Sequence, residues 1–261
     1  MKHLLAVPSL VWAYIFAPLR IPLRIAVIPN GNRRWARILA LVRWMMGRGY
    51  DLEQAQKDVY IHGAKRALAF IAWCVKVGVL EVTFYGLSQE NKAKRKEWQI
   101  DALMAGATYF FDAADELGYH LHPFGDFEAF KNEPKYKPLY DRLAKWKVKP
   151  IPTGRIIVHV AAHYSGTLRH ELSSFPEAIS RHGLQEVLAN PEKYIRSADV
   201  SPLDLVIRTG SWRESRTSAL LPFQVGYAEL YFMWVYWALF TKWHFWIALW
   251  WYSRKRRNFG R

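Results

Sequence analysis

Glycine, asparagine and arginine are grouped in the stretch I-P-N-G-N-R-R-W-A-R, residues 28–37. An apolar run precedes this stretch, so the pattern predicts a strand, a glycine turn and then a helix. Backbone N–H groups at a helix N-terminus and guanidinium groups both bind phosphate oxygens. The stretch therefore predicts anion binding, although a solvated basic turn would show the same residues. It has no carboxylate, so a metal-bound phosphate would lack its usual protein ligand.

A second basic run, R-T-G-S-W-R-E-S-R-T-S at residues 208–218, combines three arginines with several hydroxyl side chains. Arginine forms paired hydrogen bonds with phosphate, and hydroxyls add neutral donors. The run indicates a second phosphate site or an exposed basic loop. Glu229 follows among apolar and aromatic neighbours, where a carboxylate is costly unless an arginine or a cation pairs with it. Both kinds of partner remain open from the residues alone.

Apolar runs of strand length alternate with helical stretches, which predicts a single α/β domain with a mostly parallel central sheet flanked by helices. The predicted strands are residues 24–28, 81–87, 119–125, 155–161, 204–209 and 229–234, and the clearest helices are 64–78 and 96–118. Ligands of such sheets bind beyond the carboxyl ends of the strands. Both basic stretches follow strands, as do S-Q-E-N and A-H-Y-S-G, so we expect these four turns at one rim.

The charge of the chain indicates an anionic partner: 37 Lys and Arg stand against 22 Asp and Glu, a formal net charge of +15. A nucleotide-binding glycine motif, a paired-cysteine zinc site and an RNA-binding aromatic signature are all missing from the sequence, so nucleic acid is not the expected partner. The one cysteine, Cys74, excludes an internal disulfide framework and favours a reducing compartment such as the cytoplasm. We expect its thiol to be buried and inert.

The two ends of the chain are rich in apolar and aromatic residues. Residues 1–23 are predicted to form an N-terminal amphipathic or apolar segment ahead of a catalytic domain at 24–261. Its apolar stretch of about 16 residues is short for a membrane span, so it suits peripheral membrane contact or packing on the domain or on a dimer partner. The run from 230 to 252 could span a membrane, but Lys242 and His244 favour a buried strand followed by a helix from about 242.

Four motifs resemble those of the cis-prenyltransferases, the undecaprenyl diphosphate synthase family. I-A-V-I-P-N-G-N-R-R-W-A-R resembles the first signature of the family, D-G-N-x-R-W-A, and L-E-V-T-F-Y-G-L-S-Q-E-N is similar to its strand and S-x-E-N turn. D-L-V-I-R-T-G followed by R-T-S-A-L-L-P-F-Q-V-G-Y-A-E-L-Y-F is similar to the signature I-R-T…R-x-S…Q-x-x-Y-A-E-x-x-F. The tail R-K-R-R-N-F-G-R resembles the ending R-R-x-x-G, so the similarity runs in order from residue 24 to residue 261.

The resemblance implies a homodimer that condenses isoprenoid diphosphates with Mg²⁺, in an apolar tunnel between the sheet and two helices. By position it assigns the allylic diphosphate to Gly31, Asn32, Arg33 and Arg34, the second diphosphate to Arg208, Arg216 and Ser218, the reacting carbons to Asn91, and Mg²⁺ to Asn30 and Glu229. The catalytic candidates within this set are Asn30, Asn91, Arg208, Arg216 and Ser218. Extra residues between Trp35 and Gly63 leave Arg43 and Arg48 as alternatives for a further phosphate-binding arginine.

Asn30 is the main departure, because the family carries its catalytic aspartate at this position. An amide oxygen can ligate a hard cation but adds no negative charge, so the Mg²⁺ requirement is expected to be weakened. Three hypotheses follow: a prenyltransferase that couples short prenyl diphosphates irregularly, a catalytically silent subunit that supports an active partner in a heteromer, and a membrane-bound lipid-diphosphate binding protein. The aromatic residues expected on the tunnel helices favour a short product; they are Phe70, Trp73, Phe110 and Phe111.

Overall fold

Six strands form the central sheet, in the order β3-β4-β2-β1-β5-β6, and every neighbouring pair is parallel. The computed structural model describes residues 19–150, 154–211 and 214–256, without the side chains of 87 and 90–92. The strands are β1 (Arg24–Ile28), β2 (Glu81–Ser88), β3 (His120–Phe124), β4 (Ile157–Tyr164), β5 (Leu205–Arg208) and β6 (Glu229–Phe232). The sheet confirms the predicted single α/β domain, with all six predicted strands close to their expected bounds.

Helices cover the sheet and connect its strands. They are α1 (Asn32–Met45), α2 (Leu52–Val77), α3 (Gln89–Lys94), α4 (Glu97–Glu116), α5 (Lys137–Lys147), α6 (Leu168–Glu171), α7 (Phe175–His182), α8 (Leu184–Ala189) and α9 (Lys242–Ser253). Short 3₁₀ turns occur at Phe127–Phe130, Leu172–Ser174, Pro191–Lys193 and Trp237–Leu239. In the described parts of the chain, no helix has both the length and the apolar character needed to cross a membrane. The predicted N-terminal segment lies outside the described residues up to position 18.

The helix predicted from residue 64 begins twelve residues earlier, at Leu52. Its cap is Asp51, whose carboxylate accepts a hydrogen bond from the Gln54 N–H at 2.8 Å, and its end is Gly78 at φ 84°. The first turns are polar, so the apolar periodicity of the sequence does not reveal them. Together α1 and α2 form an antiparallel hairpin that contains the extra residues noted in the sequence.

The main core lies between the sheet and the long helices α2, α4 and α9. Phe70 is fully buried at its centre, where its ring contacts Phe84, Trp237 and Phe245 at centroid distances of 5.1–6.1 Å. Cys74 is also fully buried, and burial raises the pKa of its thiol, as expected for an inert side chain. This packing fixes α2 and α4 over the face of the sheet where the site lies.

A buried polar chain crosses strands β2, β4 and β3. The Glu81 carboxylate lies 3.0 Å from Nε2 of His159, whose Nδ1 lies 3.2 Å from Nδ1 of His122. Asp199 continues the chain at 3.7 Å from His122. Burial alone would raise the pKa of Glu81, but hydrogen bonds from His159, Ser201 and Arg24 lower it to about 2. These histidines therefore join three strands of the sheet through hydrogen bonds.

Acid is expected to destabilise the fold through His122. Burial, with the charges of His159 and Lys147 beside it, lowers the pKa of His122 from 6.5 to about 4. As pH falls below 6.5, the unfolded chain takes up a proton at this residue that the folded chain does not. Urea unfolding should therefore show a loss on the order of 2 kcal/mol between about pH 7 and pH 5, above the range where Glu81 titrates. His122→Asn should remove its share of this slope, while His120 and His170, whose pKa values burial also lowers, keep theirs. An equal slope in the variant would contradict the assignment.

Candidate active site

The turn after β1 places a helix N-terminus at the carboxyl edge of the sheet. Gly31 caps α1 with φ 97°, a conformation that favours glycine, and no side chain caps this end of the helix. The first N–H groups of an α-helix have no partner within the helix, so those of Asn32, Arg33 and Arg34 are available to an anion. The ring of Tyr236 packs directly against Gly31. The turn therefore forms an open anion cradle.

Gly31→Ala is expected to cost about 2 kcal/mol of folding stability, because a Cβ at this φ is strained and would also overlap the Tyr236 ring. Gly47→Ala is the matched control: Gly47 has φ 74°, but nothing lies within 4 Å of its added Cβ. Gly47→Ala should lose only the folding stability that the left-handed backbone conformation costs an alanine, about 1 kcal/mol. Thermal unfolding of the two variants checks this, and equal losses would contradict a close Tyr236 contact.

Arg208 ends β5 and lies at the centre of the polar groups beside this cradle. Its side chain is only 2% exposed. Nη1 donates to the Ser218 hydroxyl at 2.8 Å and to the Arg216 carbonyl, and Nη2 contacts the Glu214 carboxylate at 2.5 Å. With its amide turned so that both ends are satisfied, Asn30 accepts from Nη2 at 3.0 Å and from Nε at 3.3 Å. Arg208 thus joins the β1 turn to the β5 loop.

The electrostatics of the site depend on Arg208 and its partners. Burial lowers the pKa of Arg208 from its ordinary value, and the Glu214 carboxylate opposes that shift. Glu214 also lies 3.4 Å from Arg216, which is 67% exposed. Arg34 donates to the Gly210 carbonyl and lies 5.5 Å from the Tyr236 ring. The loops thus hold several guanidinium groups side by side, with one carboxylate between two of them.

A cavity of about 980 Å³ opens at these loops and continues between the sheet and helices α2 and α4. At the rim it contains all the residues assigned to the two diphosphates, together with Asn30; they are Gly31, Asn32, Arg33, Arg34, Arg208, Arg216 and Ser218. Its deeper part is apolar and is lined by Phe84, Leu103, Met104, Phe110, Phe111, Leu139, Leu143 and Val160. The cavity therefore has an arginine-rich mouth and an apolar interior, as the resemblance implies.

Among the predicted residues whose side chains the structure describes, Glu229 does not line the cavity. Asn91 lies in α3, but its side chain lies outside the described residues. Glu229 pairs with Leu205 at the start of β5, whereas Arg208 pairs with Phe232, three residues further along. At about 3.3 Å per residue, Glu229 is therefore about 10 Å below the level of Arg208. Within one chain, strand register separates Glu229 from Asn30, and the assignment of these two residues to Mg²⁺ stays a prediction.

The structure also identifies arginines that the sequence did not single out. Arg37 and Arg95 line the cavity, and Nη1 of Arg95 donates to the Tyr60 hydroxyl at 3.0 Å. The sequence left Arg43 and Arg48 as alternatives for this role, but neither lines the cavity. Nη2 of Arg43 instead lies 2.6 Å from the carboxylate of Asp58 on α2, so it joins the two arms of the hairpin. The helical spacing of Arg33 and Arg37 is the signal that could have found the second of them.

Among the described side chains at this mouth, the oxygen donors of Asn30 and Glu214 are already paired with arginines and do not form an Mg²⁺ site of their own. The Asn30 oxygen faces a guanidinium, and Glu214 is paired with two arginines. Among the described residues, no three His, Cys, Asp or Glu side chains converge to hold a metal. A cation needs oxygen ligands that are not already paired with positive groups. The chemistry that these side chains support is therefore charge stabilisation by arginine.

The arginine mouth and the apolar interior of this parallel fold together define a site for ligands that have a diphosphate head and an apolar tail. The sequence model of the undecaprenyl diphosphate synthase family matches residues 28–260. The chain belongs to this family of prenyltransferases, which condense prenyl diphosphates. It is a transferase of prenyl groups.

Individual relatives agree with this family assignment. A ditrans,polycis-undecaprenyl-diphosphate synthase specific for (2E,6E)-farnesyl diphosphate, from Pectobacterium atrosepticum, is 29% identical over 93% of this chain and 91% of its own length. A tritrans,polycis-undecaprenyl-diphosphate synthase specific for geranylgeranyl diphosphate, from Sulfurisphaera tokodaii, is 26% identical over 92% and 88%. Lavandulyl diphosphate synthase from Lavandula x intermedia, solved with dimethylallyl diphosphate, shares the fold with a TM-score of 0.71 and 20% identity over 92% of this chain and 98% of that one.

Proposed function

We propose that this chain couples two short isoprenoid diphosphates to a short product, and that the coupling is irregular, either joining a branched carbon or cyclising. The observation that carries the proposal is the cavity: its arginine mouth has no unpaired carboxylate among the described residues, and its apolar interior includes several aromatic rings. The substrate class is supported by the relatives, which are named for farnesyl and geranylgeranyl diphosphates, and by the fold neighbour, which binds dimethylallyl diphosphate.

The proposed reaction begins with the break of an allylic carbon–oxygen bond, and diphosphate leaves with the electron pair. The double bond of the second substrate supplies electrons for the new carbon–carbon bond, and loss of a proton from the resulting cation completes the product. Leaving diphosphate gains negative charge, which donors aimed at it in advance stabilise. The N–H groups after Gly31, with Arg33 and Arg34, would hold the leaving group.

The second diphosphate would bind at Arg208, Arg216 and Ser218, in the place now filled by the Glu214 carboxylate. Arg208 is fixed by four neighbours, and the Nη2 N–H that now faces Glu214 is the donor that a phosphate oxygen would take. The Glu214 side chain is 41% exposed, so it can turn into solvent when the diphosphate binds in its place. Both head groups would then lie at one mouth, with both prenyl tails in the apolar interior.

Aromatic rings support a short product. Phe110 and Phe111 line the cavity, whereas Phe70 and Trp73 pack behind it against Phe245. Phe84 contacts both Phe110 and Trp237, at centroid distances of 5.9 and 6.1 Å. We infer that these packed rings limit the length of the tail that the interior can accept. A long polyprenyl chain would require several of them to move together.

A silent subunit is the second candidate, because Asn30 removes the acid of the first motif. The retained arginine and serine groups of the second substrate site argue against it. Pairing with a second copy, or with an active partner in a heteromer, would occur through β6 and α9. That region exposes the apolar side chains of Leu230, Trp234, Trp243, Ile247 and Trp250. We also propose that the protein makes peripheral contact with a membrane.

Product analysis tests the reaction. The purified protein is incubated with dimethylallyl, geranyl or farnesyl diphosphate, with and without isopentenyl diphosphate, in Mg²⁺ or EDTA, and the products are identified by mass spectrometry and NMR. We expect short branched or cyclic prenyl diphosphates. A long regular polyprenyl product would contradict irregular coupling. The complete lack of product, with retained diphosphate binding, would instead favour the silent subunit.

A further inference from the structure

A fully buried carboxylate, that of Glu171, lies at the end of the short helix α6. It accepts hydrogen bonds from the Tyr164 hydroxyl, from the Ser197 N–H at 3.1 Å and from the Ser197 hydroxyl at 2.9 Å. A carboxylate in such a place costs folding free energy compared with an apolar side chain of similar volume, so stability alone does not explain it. Glu171 does not line the cavity either, so its role is not direct contact with substrate.

Tyr164 connects Glu171 to the loop that follows the second arginine-rich run. Tyr164 ends β4 and is fully buried. Its hydroxyl donates to Glu171 and accepts a hydrogen bond from the Leu221 N–H. Burial and the Glu171 carboxylate raise the pKa of Tyr164 above its ordinary value, so the hydroxyl keeps its proton. Because an ionised carboxylate only accepts, Glu171 fixes the direction of this proton and leaves an oxygen lone pair for Leu221.

The loop around Leu221 has a strained backbone. Ser218, Ala219 and Leu221 have φ values of 54°, 56° and 45°, in the left-handed region that residues other than glycine rarely adopt. Such conformations persist only where the surrounding structure imposes them, and they are concentrated at functional sites. Leu220 and Leu221 are fully buried. The Ala219 carbonyl lies so close to Gly166 that a Cβ at position 166 would overlap it. Packing and the Tyr164 hydroxyl therefore hold a loop that would otherwise relax.

The strained segment includes part of the mouth of the cavity. Ser218 and Ala219 line the cavity, and the Ser218 hydroxyl accepts from Nη1 of Arg208 at 2.8 Å. The same Nη1 donates to the Arg216 carbonyl just before the segment. Relaxation of the segment 218–221 would therefore move the Ser218 hydroxyl and release one side of the Arg208 guanidinium.

We propose that Glu171 and Tyr164 are positioning residues for the second diphosphate, because they hold the segment 218–221 in the conformation that a bound phosphate requires. Neither residue lines the cavity. Tyr164 acts through the Leu221 N–H, and Glu171 acts through Tyr164. The assignment of the second diphosphate to this loop rests on the proposed function, but the hydrogen bonds that hold the loop do not.

Calorimetric titration of inorganic diphosphate into the full-length protein tests this role without turnover. The anion fits both the cradle at α1 and the loop at 208–218, so the parent protein should show two sites. Tyr164→Phe keeps the buried ring and removes the hydroxyl, so it should weaken one site about tenfold and leave the other unchanged. Arg208→Lys should identify this site, because it should weaken the same one.

Glu171→Gln tests the same path from its other end. The amide can turn a donor toward the Tyr164 hydroxyl, so the variant should weaken the same diphosphate site. If the two residues act as a unit, the double variant Tyr164→Phe with Glu171→Gln should lose about as much affinity as one single variant. Additive losses would contradict a shared path through Leu221.

The matched control is Glu81→Gln. The Glu81 side chain is 13% exposed and pairs with His159, and it does not line the cavity. This variant should lower the Tm as Glu171→Gln does, but it should keep both diphosphate sites.

Two intact sites in Tyr164→Phe and Glu171→Gln, equal losses at both sites, or an equal loss in Glu81→Gln would overturn the proposal while leaving the proposed function in place. A parent protein with only one diphosphate site would contradict the proposed function itself, and this inference with it.

Discussion

Arg208→Lys is expected to lower kcat/KM for prenyl transfer by about a thousandfold, close to 4 kcal/mol of transition-state stabilisation. The planar fork of the buried guanidinium donates to Ser218, Glu214, the Arg216 carbonyl and Asn30 at once. A lysine ammonium keeps the charge but loses this fork. It also leaves buried acceptors without donors.

Arg216→Lys is the matched control for this effect. Arg216 is 67% exposed and is tied to the loop by a 3.4 Å contact with Glu214, so its geometry is far less fixed. We expect a loss of about tenfold from the same substitution at this position. Steady-state kinetics of both variants, together with binding of inorganic diphosphate by calorimetry, make the comparison. Equal losses would contradict a special role for the buried position.

The sheet and the rim were predictable from the sequence because each depends on local pattern. Continuous apolar runs such as residues 24–28 mark buried parallel strands, and the polar turns that follow them must meet at the carboxyl edge. The charge of the site was predictable for the same reason, since both arginine-rich stretches follow strands. The position of the cavity mouth follows from these two facts.

Pairings across the fold were not predictable from the sequence. The residues left an arginine or a cation open as the partner of Glu229, and the resemblance assigned it to Mg²⁺; the register of β6, which places Glu229 at the other end of the strands from Arg208, could not be predicted from the sequence. Arg43 and Arg48 were equal alternatives in the sequence, and the contact of Arg43 with Asp58 appears only when α1 folds back on α2. Glu214 received no role from its spacing, because its pairing with Arg208 and Arg216 depends on the shape of one loop.

Asn30→Asp is expected to raise the affinity for Mg²⁺ in the presence of inorganic diphosphate by about a hundredfold. Asn30 lies at the mouth of the cavity, where its neutral amide oxygen faces Arg208. A carboxylate in the same place adds a negative charge beside the leaving diphosphate, and charge count strongly tunes the affinity of oxygen sites for hard cations. Calorimetric titration of Mg²⁺ into the protein with diphosphate measures this change without any turnover.

Asn132→Asp is the control, because it adds the same charge on an exposed turn that does not line the cavity. An equal rise in Mg²⁺ affinity in both variants would mean that the net charge of the protein, and not the position of residue 30, causes the effect. An unchanged Mg²⁺ affinity in Asn30→Asp would show that residue 30 does not lie beside the ion. The new carboxylate also faces Arg208, and that pairing competes with the cation. Combining Asn30→Asp with Arg208→Lys separates the attraction of Mg²⁺ from the pairing with residue 208. The lysine ammonium lacks the fork that holds the carboxylate, so the double variant should bind Mg²⁺ more tightly than Asn30→Asp alone. Its prenyl transfer should stay low.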